Sequence, residues 1–395
     1  MGFEKVTAYL ESLREQFDVR CCDCIVLKEH QVIYRHLTGT SDFEDTVPLK
    51  PENLHDIFSG SKVLTVMAVM QQVEQGKINL DDELGKYLPE FSRMQVLQDF
   101  DLTDYVSGGK FLFGWPTTKD PCAPAKNKLT LRDVLSMKGG FSYDFASPAT
   151  LALVAKDTHA STREIVKTWS ESPLLFEPGT RYSYSYGLDI LAAVVEVTSG
   201  LRFAEYMKQN LFDPVGATDL YYHIPEGKRE LRTDLYAFDQ ERKAYVAAKE
   251  NPCRLTDCCD SGGAGICCSV EDYAKVLDSL ANDGVAANGA RLLTKESIEE
   301  MRKNRLNEQQ LADFHISGLK PEYGYGYGVR TLLDTTKSKS PFGEFGWDGA
   351  AGAFVLADPE TRLAVFYVQA APESGTAFTT IHPTLRDLIY DAIKE

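Results

Sequence analysis

Ser59 and Lys62, within Ile57-Phe58-Ser59-Gly60-Ser61-Lys62, are residues whose types and spacing could carry out covalent chemistry. Three positions apart on a helix, their side chains share a face. A serine hydroxyl is a poor nucleophile at neutral pH and needs a base beside it. An amine one turn on can serve once its surroundings favour the neutral form. The stretch opens an apolar run (Val63, Leu64, Val66, Met67, Val69, Met70), which puts Ser59 near a helix N-terminus. Free backbone N–H groups and the helix dipole there favour developing negative charge. The same spacing also fits an N-cap serine followed by a surface lysine, and spacing alone leaves both readings open.

The elements that must hold these side chains can be read from pattern. A first amphipathic helix carries Phe3, Val6, Tyr9, Leu10, Leu13 and Phe17. Cys24 to Leu27 and Val32 to Tyr34 read as two strands joined by a turn. A helix of about four turns runs from Ser59 to near Gly76. Thr130 is suited to cap a helix beginning at Leu131. Residues from about 100 to 127 are polar and rich in Gly and Pro, a long loop able to line a site. A strong apolar helix follows Tyr186 (Leu188, Ile190, Leu191, Val194, Val195, Val197). Strands return over Tyr325 to Leu333, Ala353 to Ala357 and Leu363 to Gln369, and a last amphipathic helix spans Thr384 to Lys394. This order predicts an α+β protein. Its α/β sandwich lobe is discontinuous, formed by residues 1–75 and 225–395, with a mostly helical lobe over 76–224.

A chain of 395 residues can bury a large core. Its net charge of −16 argues against a nucleic-acid or anionic-membrane surface. No segment reaches the apolar length needed to span a bilayer, and the N-terminal stretch lacks the pattern of a secretory signal. Of the nine cysteines, eight cluster at 21–24 and 253–268 without the spacing of a metal site. They read as reduced, packed thiols, and together with the missing signal they predict a cytoplasmic protein. The seven histidines are scattered without ligand spacing, so no metal or cofactor is expected.

Six stretches, in order along the chain, resemble the serine β-lactamase-related superfamily, above all its class C, penicillin-binding-protein-like and family VIII carboxylesterase branches. They are the Ser59 stretch, Gln72 to Asp82 with Leu88-Pro89-Glu90-Phe91, Leu129 to Leu135, Phe176 to Ser185, Ser261 to Ile266, and Phe345 to Gly352. The resemblance implies a β-lactamase/transpeptidase-like fold, an antiparallel sheet flanked by helices plus a helical lobe with the site between them. It makes Ser59 the nucleophile, Lys62 the neighbouring amine, and Tyr184 the residue that shuttles the proton. Tyr182 and Tyr186 suit packing better than Tyr184 does. Trp347-Asp348-Gly349 aligns with the family's third motif, and Ala350 would donate a backbone N–H to the oxyanion with that of Ser59.

Two departures bear on substrate. Tyr186 stands where the second motif usually ends in asparagine, and Trp347 replaces the cationic residue that helps hold a lactam carboxylate. Tyr186, Trp347, Asp348 and Gly349 are therefore the expected substrate-binding positions. A bulky, apolar rim of Tyr186 and Trp347, joined by Phe141 and Tyr143, suits a neutral ester with a small or aromatic acyl group. The expected activity is a carboxylesterase working through an acyl-enzyme on a small-molecule ester or amide. The alternatives are a β-lactamase or D-amino-acid-specific peptidase or acyltransferase with the same site, and a non-catalytic penicillin-binding-like domain. The loop Met137-Lys138-Gly139-Gly140 also departs from its relatives, with no role assigned.

Overall fold

The computed structural model describes residues 2–107, 119–143, 145, 147–248, 250–318, 320–372 and 375–394. Seven strands form one antiparallel sheet: β1 (Cys21–Lys28), β2 (Gln31–Gly39), β3 (Tyr323–Tyr325), β4 (Arg330–Leu332), β5 (Phe345–Asp348), β6 (Phe354–Asp358) and β7 (Leu363–Ala370). Their spatial order is β3-β4-β5-β6-β7-β1-β2, so the N-terminal hairpin closes onto the last strand. The register sets Cys21 opposite Ala370 and Trp347 opposite Val355.

Alternation along the strands sends side chains to two cores. Cys22, Cys24, Val26, Val365 and Tyr367 pack beneath helices α1 (Glu4–Phe17) and α5 (His382–Ala392). Ile25, Phe366, Val368 and Val355 join the larger core on the other face. That core also holds α2 (Ser61–Glu74), α3 (Gly187–Ser199) and α4 (Val270–Ala281). With both faces covered, β1 is buried from Cys21 through Leu27, its one internal charge, Asp23, being paired with Arg35. The cysteines of β1 serve as small core hydrophobes, and all nine thiols of the chain are free.

α2 is buried from Ser61 through Gln72, which explains why its apolar residues show no clean stripe. It ends at Glu74, and Gly76 takes a left-handed φ of +68° just beyond. Thr130 caps the helix Leu131–Leu135 in a reciprocal box with Asp133, as its position implied. The expected single strand over Tyr325 to Leu333 is instead the hairpin β3–β4, since Gly328 has a positive φ that breaks the run. Of the loop expected over 100–127, residues 108–118 lie outside the described residues. Its flanks form the helix Leu102–Ser107 and the strand Cys122–Pro124, the latter paired with Gln95–Leu97.

Candidate active site

Ser59 sits in a 3-10 turn, Phe58–Gly60, that runs directly into α2. The turn is held from several sides. His55–Asp56 pairs with Cys267–Cys268, and the buried Asp56 carboxylate accepts from Arg232 (2.6 Å) and Asn251 (3.2 Å). Tyr273 donates to the Gly60 carbonyl (2.8 Å) and Ser61 accepts from the Ile266 N–H (3.1 Å). Phe58 has a φ of +45°, a strained value for a bulky side chain. Backbone strain of this kind persists only where surrounding contacts over-determine it.

Lys62 is fully buried one turn further on. Its ammonium donates to Ser59 Oγ (3.2 Å), Tyr143 Oη (3.3 Å) and the Gly263 carbonyl (2.9 Å). It also lies 4.8 Å from the centre of the Tyr184 ring and 5.2 Å from that of Tyr143. The approach to Gly263 requires a glycine, because a Cβ there would stand 2.3 Å from Asp189 Oδ2 and 3.2 Å from Lys62 Nζ. Asp189 accepts from Ser261 Oγ (2.5 Å) and the Gly263 N–H (3.0 Å). Burial raises the Asp189 carboxyl above its ordinary range, against the pull of the Lys62 charge.

Tyr184 arrives from a stretch pinned by a two-pronged ion pair. Arg181 donates to both carboxylate oxygens of Asp313 (2.8 and 2.6 Å), and the Tyr182 N–H donates to the same carboxylate (3.1 Å). From there Tyr184 donates its hydroxyl to Ser59 Oγ at 2.8 Å. The Trp347 indole N–H in turn donates to Tyr184 Oη at 3.0 Å, with the two rings stacked at 5.4 Å. Beyond Trp347, a Cβ on Gly349 would fall 2.0 Å from the Ile57 carbonyl. The end of β5 therefore packs backbone to backbone against the Ser59 turn, and Ala350 follows at once.

Ser59, Lys62, Tyr184 and Trp347 thus meet at one point, with Gly349 and Ala350 beside it. Two other expected positions do not. Tyr186 is 1% exposed and stacks on Trp169 at 4.3 Å, with Phe141 and Phe145 around it. It belongs to the aromatic layer under the site, with Tyr182 in a comparable packing role against Phe314 and Tyr325. Phe141 is likewise buried, while Tyr143 remains beside Lys62.

Asp348 is the second correction. Strand alternation turns it away from Trp347, into a buried cluster with Lys320 (2.5 Å), Arg330 (3.4 Å) and His382 (3.5 Å). Burial works to raise its carboxyl, but Lys320 and Arg330 hold it far below the usual range. Its work is to anchor β5. Three residues near Lys62 escaped the sequence reading. Gly263 lies in a motif that carried no assigned role, Asp189 is one of two acids in the otherwise mostly apolar α3, and Tyr143 appeared only as a rim aromatic.

Among the described residues, no group of His, Cys, Asp and Glu side chains could hold a metal ion. Nor is any helix among them long and apolar enough to cross a membrane.

An antiparallel sheet packed with helices around a buried Ser-x-x-Lys turn is the β-lactamase/transpeptidase-like fold. The chain belongs to the Beta-lactamase family, which it matches over residues 8–386. It is 28% identical over 366 residues to the lovastatin esterase of Penicillium rubens, covering 86% of each chain. Among solved structures it is similar to EstCE1, a hydrolase with promiscuous acyltransferase activity, with a TM-score of 0.75, 20% identity and 98% of each chain covered. A family VIII carboxylesterase gives a TM-score of 0.75 at 17% identity, over 99% of this chain and 97% of that one.

Proposed function

We propose that the protein is a serine hydrolase that cleaves neutral carboxylic esters with small or aryl groups through an acyl-enzyme on Ser59. The observation that carries this reading is the convergence on Ser59 Oγ of Tyr184 Oη at 2.8 Å and Lys62 Nζ at 3.2 Å. A serine so placed is activated by groups already within proton-transfer reach.

In this reading Ser59 Oγ attacks the ester carbonyl while its proton passes to Tyr184 Oη and the proton Tyr184 already carries passes to the leaving alkoxide. The Trp347 N–H and Lys62, 4.8 Å from the centre of the Tyr184 ring, favour the charge that builds on Tyr184 Oη during the transfer. The carbonyl oxygen gains negative charge and is met by the N–H groups of Ser59 and Ala350. Water attacks the acyl-enzyme in the second half-reaction, with Tyr184 taking its proton and returning one to Ser59.

Trp347 supplies a donor without a formal charge at the place where the family carries a cation. A neutral ester asks for no counter-charge there, whereas a lactam carboxylate does. The names of the lovastatin esterase and of the carboxylesterase structure agree with ester chemistry. Acyl transfer to an alcohol would use the same acyl-enzyme, and EstCE1 is described as doing both.

Turnover of p-nitrophenyl acetate measured beside a chromogenic cephalosporin tests the reading, with Ser59→Ala as control. Ester hydrolysis that disappears in Ser59→Ala, with negligible lactam turnover, is the expected result. Lactam turnover exceeding ester turnover overturns the substrate class, and full activity in Ser59→Ala overturns the site.

A further inference from the structure

Beside the Ser59 turn lies a cavity of about 420 Å³, bounded by Phe58 on one side and by Ala350 and Ala351 on another. That volume falls within the range of about 300–1,000 Å³ typical of small-molecule sites. Its far walls are the end of β7, at Ala370 and Ala371, and both strands of the hairpin formed by Leu235–Asp239 and Ala244–Ala248. Among the described residues that hairpin pairs only with itself, and it is tied down by Tyr236, whose ring packs on Phe43 at 5.1 Å. Six of the thirteen lining residues are alanines, which leaves the space open and apolar. The two charged ones, Asp234 and Glu250, are both acidic, and the Asp234 carboxylate is occupied by the Phe43 N–H (2.8 Å).

The position relative to Ser59 decides which part of an ester fits. In the tetrahedral intermediate the leaving oxygen must reach Tyr184 Oη, and the oxyanion must reach the Ser59 and Ala350 amides. The cavity walls include Phe58 and Ala350 but none of Tyr143, Tyr184 or Trp347. A group entering it is therefore joined to the carbonyl carbon on the oxyanion side, not through the leaving oxygen. We infer that this cavity is the acyl-chain site, and that it takes an uncharged aliphatic acyl group of about six to ten carbons. The inference rests on the acyl-enzyme reading and widens the acyl side beyond small groups. Ala237 and Ala248, which line the cavity from the hairpin, limit the length admitted.

Two ester series test it in the intact protein. With p-nitrophenol held constant, kcat/KM rises about threefold per added methylene from acetate toward octanoate. With acetate held constant, lengthening the alcohol from ethyl to octyl gives no comparable rise. Ala237→Trp and Ala248→Trp place an aromatic on an exposed hairpin that tolerates one. Each is expected to lower octanoate turnover at least tenfold while leaving acetate turnover within twofold. A flat acyl series, a rise confined to the alcohol series, or equal loss of acetate and octanoate turnover in both variants overturns the inference.

Calorimetric binding of p-nitrophenyl octanoate and acetate to Ser59→Ala separates this result from failure of the esterase reading. Octanoate binding at least tenfold tighter supports the cavity even if turnover is absent, and equal binding overturns it.

Discussion

The indole N–H of Trp347 donates to the phenol oxygen of Tyr184, which itself donates to Ser59 Oγ. Trp347, on a strand late in the chain, is thus two hydrogen bonds from the nucleophile. Trp347→Phe keeps a ring to stack on Tyr184 and removes only the donor. A hydrogen bond to a charged partner contributes about 1.5–3 kcal/mol, so kcat for ester hydrolysis is expected to fall roughly ten- to hundredfold. KM and the unfolding midpoint should change little. Steady-state kinetics with a urea titration check this, and an unchanged kcat removes Trp347 from the proton path.

Gly349→Ala addresses the contact between β5 and the Ser59 turn. The added methyl meets the Ile57 carbonyl at 2.0 Å, so one of the two segments must yield. Overpacking of this kind costs about 1–3 kcal/mol of stability. Displacing the Ala350 donor from Ser59 should lower kcat by about a hundredfold or more, in line with the loss of an oxyanion contact. Thermal unfolding and kinetics on the same sample separate the two effects.

Asp348→Asn tests whether that carboxylate serves structure or substrate. Removing one partner of a buried ion pair costs about 3–5 kcal/mol, because Lys320 and Arg330 keep their charge. The variant should unfold at markedly lower denaturant, with KM near that of the parent wherever both are folded. The Asp348 carboxyl is depressed in the folded state, so its contribution is present above its unfolded value and is lost as pH falls below it. The stability gap between the parent and Asp348→Asn should therefore narrow as pH falls below about 4. A large rise in KM with unchanged stability would restore Asp348 to the substrate.

Glu196, near the end of α3, has the opposite sign. Burial, with the nearby Asp260 adding to it, pushes its carboxyl up to about 7, against the Phe203 N–H it accepts (2.8 Å). The folded state then holds a proton that the unfolded chain releases near pH 4.5, so this group costs stability as pH rises from there through 7. Glu196→Gln keeps the acceptor and removes the charge. It should gain on the parent by about 1–2 kcal/mol between pH 5 and pH 8, read from unfolding curves at both. No gain at pH 8 refutes the assignment.

The local half of the site was legible because Ser59 and Lys62 lie one turn apart on one helix. Tyr184 and Trp347 needed the order of motifs along the chain, since nothing near either residue points to Ser59. The misplacements of Tyr186 and Asp348 have different causes in backbone geometry. In extended chain, neighbours face opposite ways and alternate residues face the same way. Asp348 therefore faces away from Trp347, whereas Tyr186 leaves the alternation at the N-cap of α3 and turns onto Trp169. Asp189, Gly263 and Tyr143 are near Lys62 only through tertiary packing, so sequence offered no spacing to read. The seven-stranded sheet was easier, because its buried strands are apolar runs bounded by turns.

The close fit of Gly349 against Ile57 bears on when the protein becomes reactive. The serine is supplied early in the chain, and the strand that meets it comes near the end. A polypeptide halted, nicked or misfolded before β5 docks carries a hydroxyl with no Trp347 to brace Tyr184 and no second amide from Ala350. Such a fragment, even one containing the whole Ser-x-x-Lys turn, is chemically an ordinary peptide. In the proposed mechanism, reactivity belongs to the finished molecule alone.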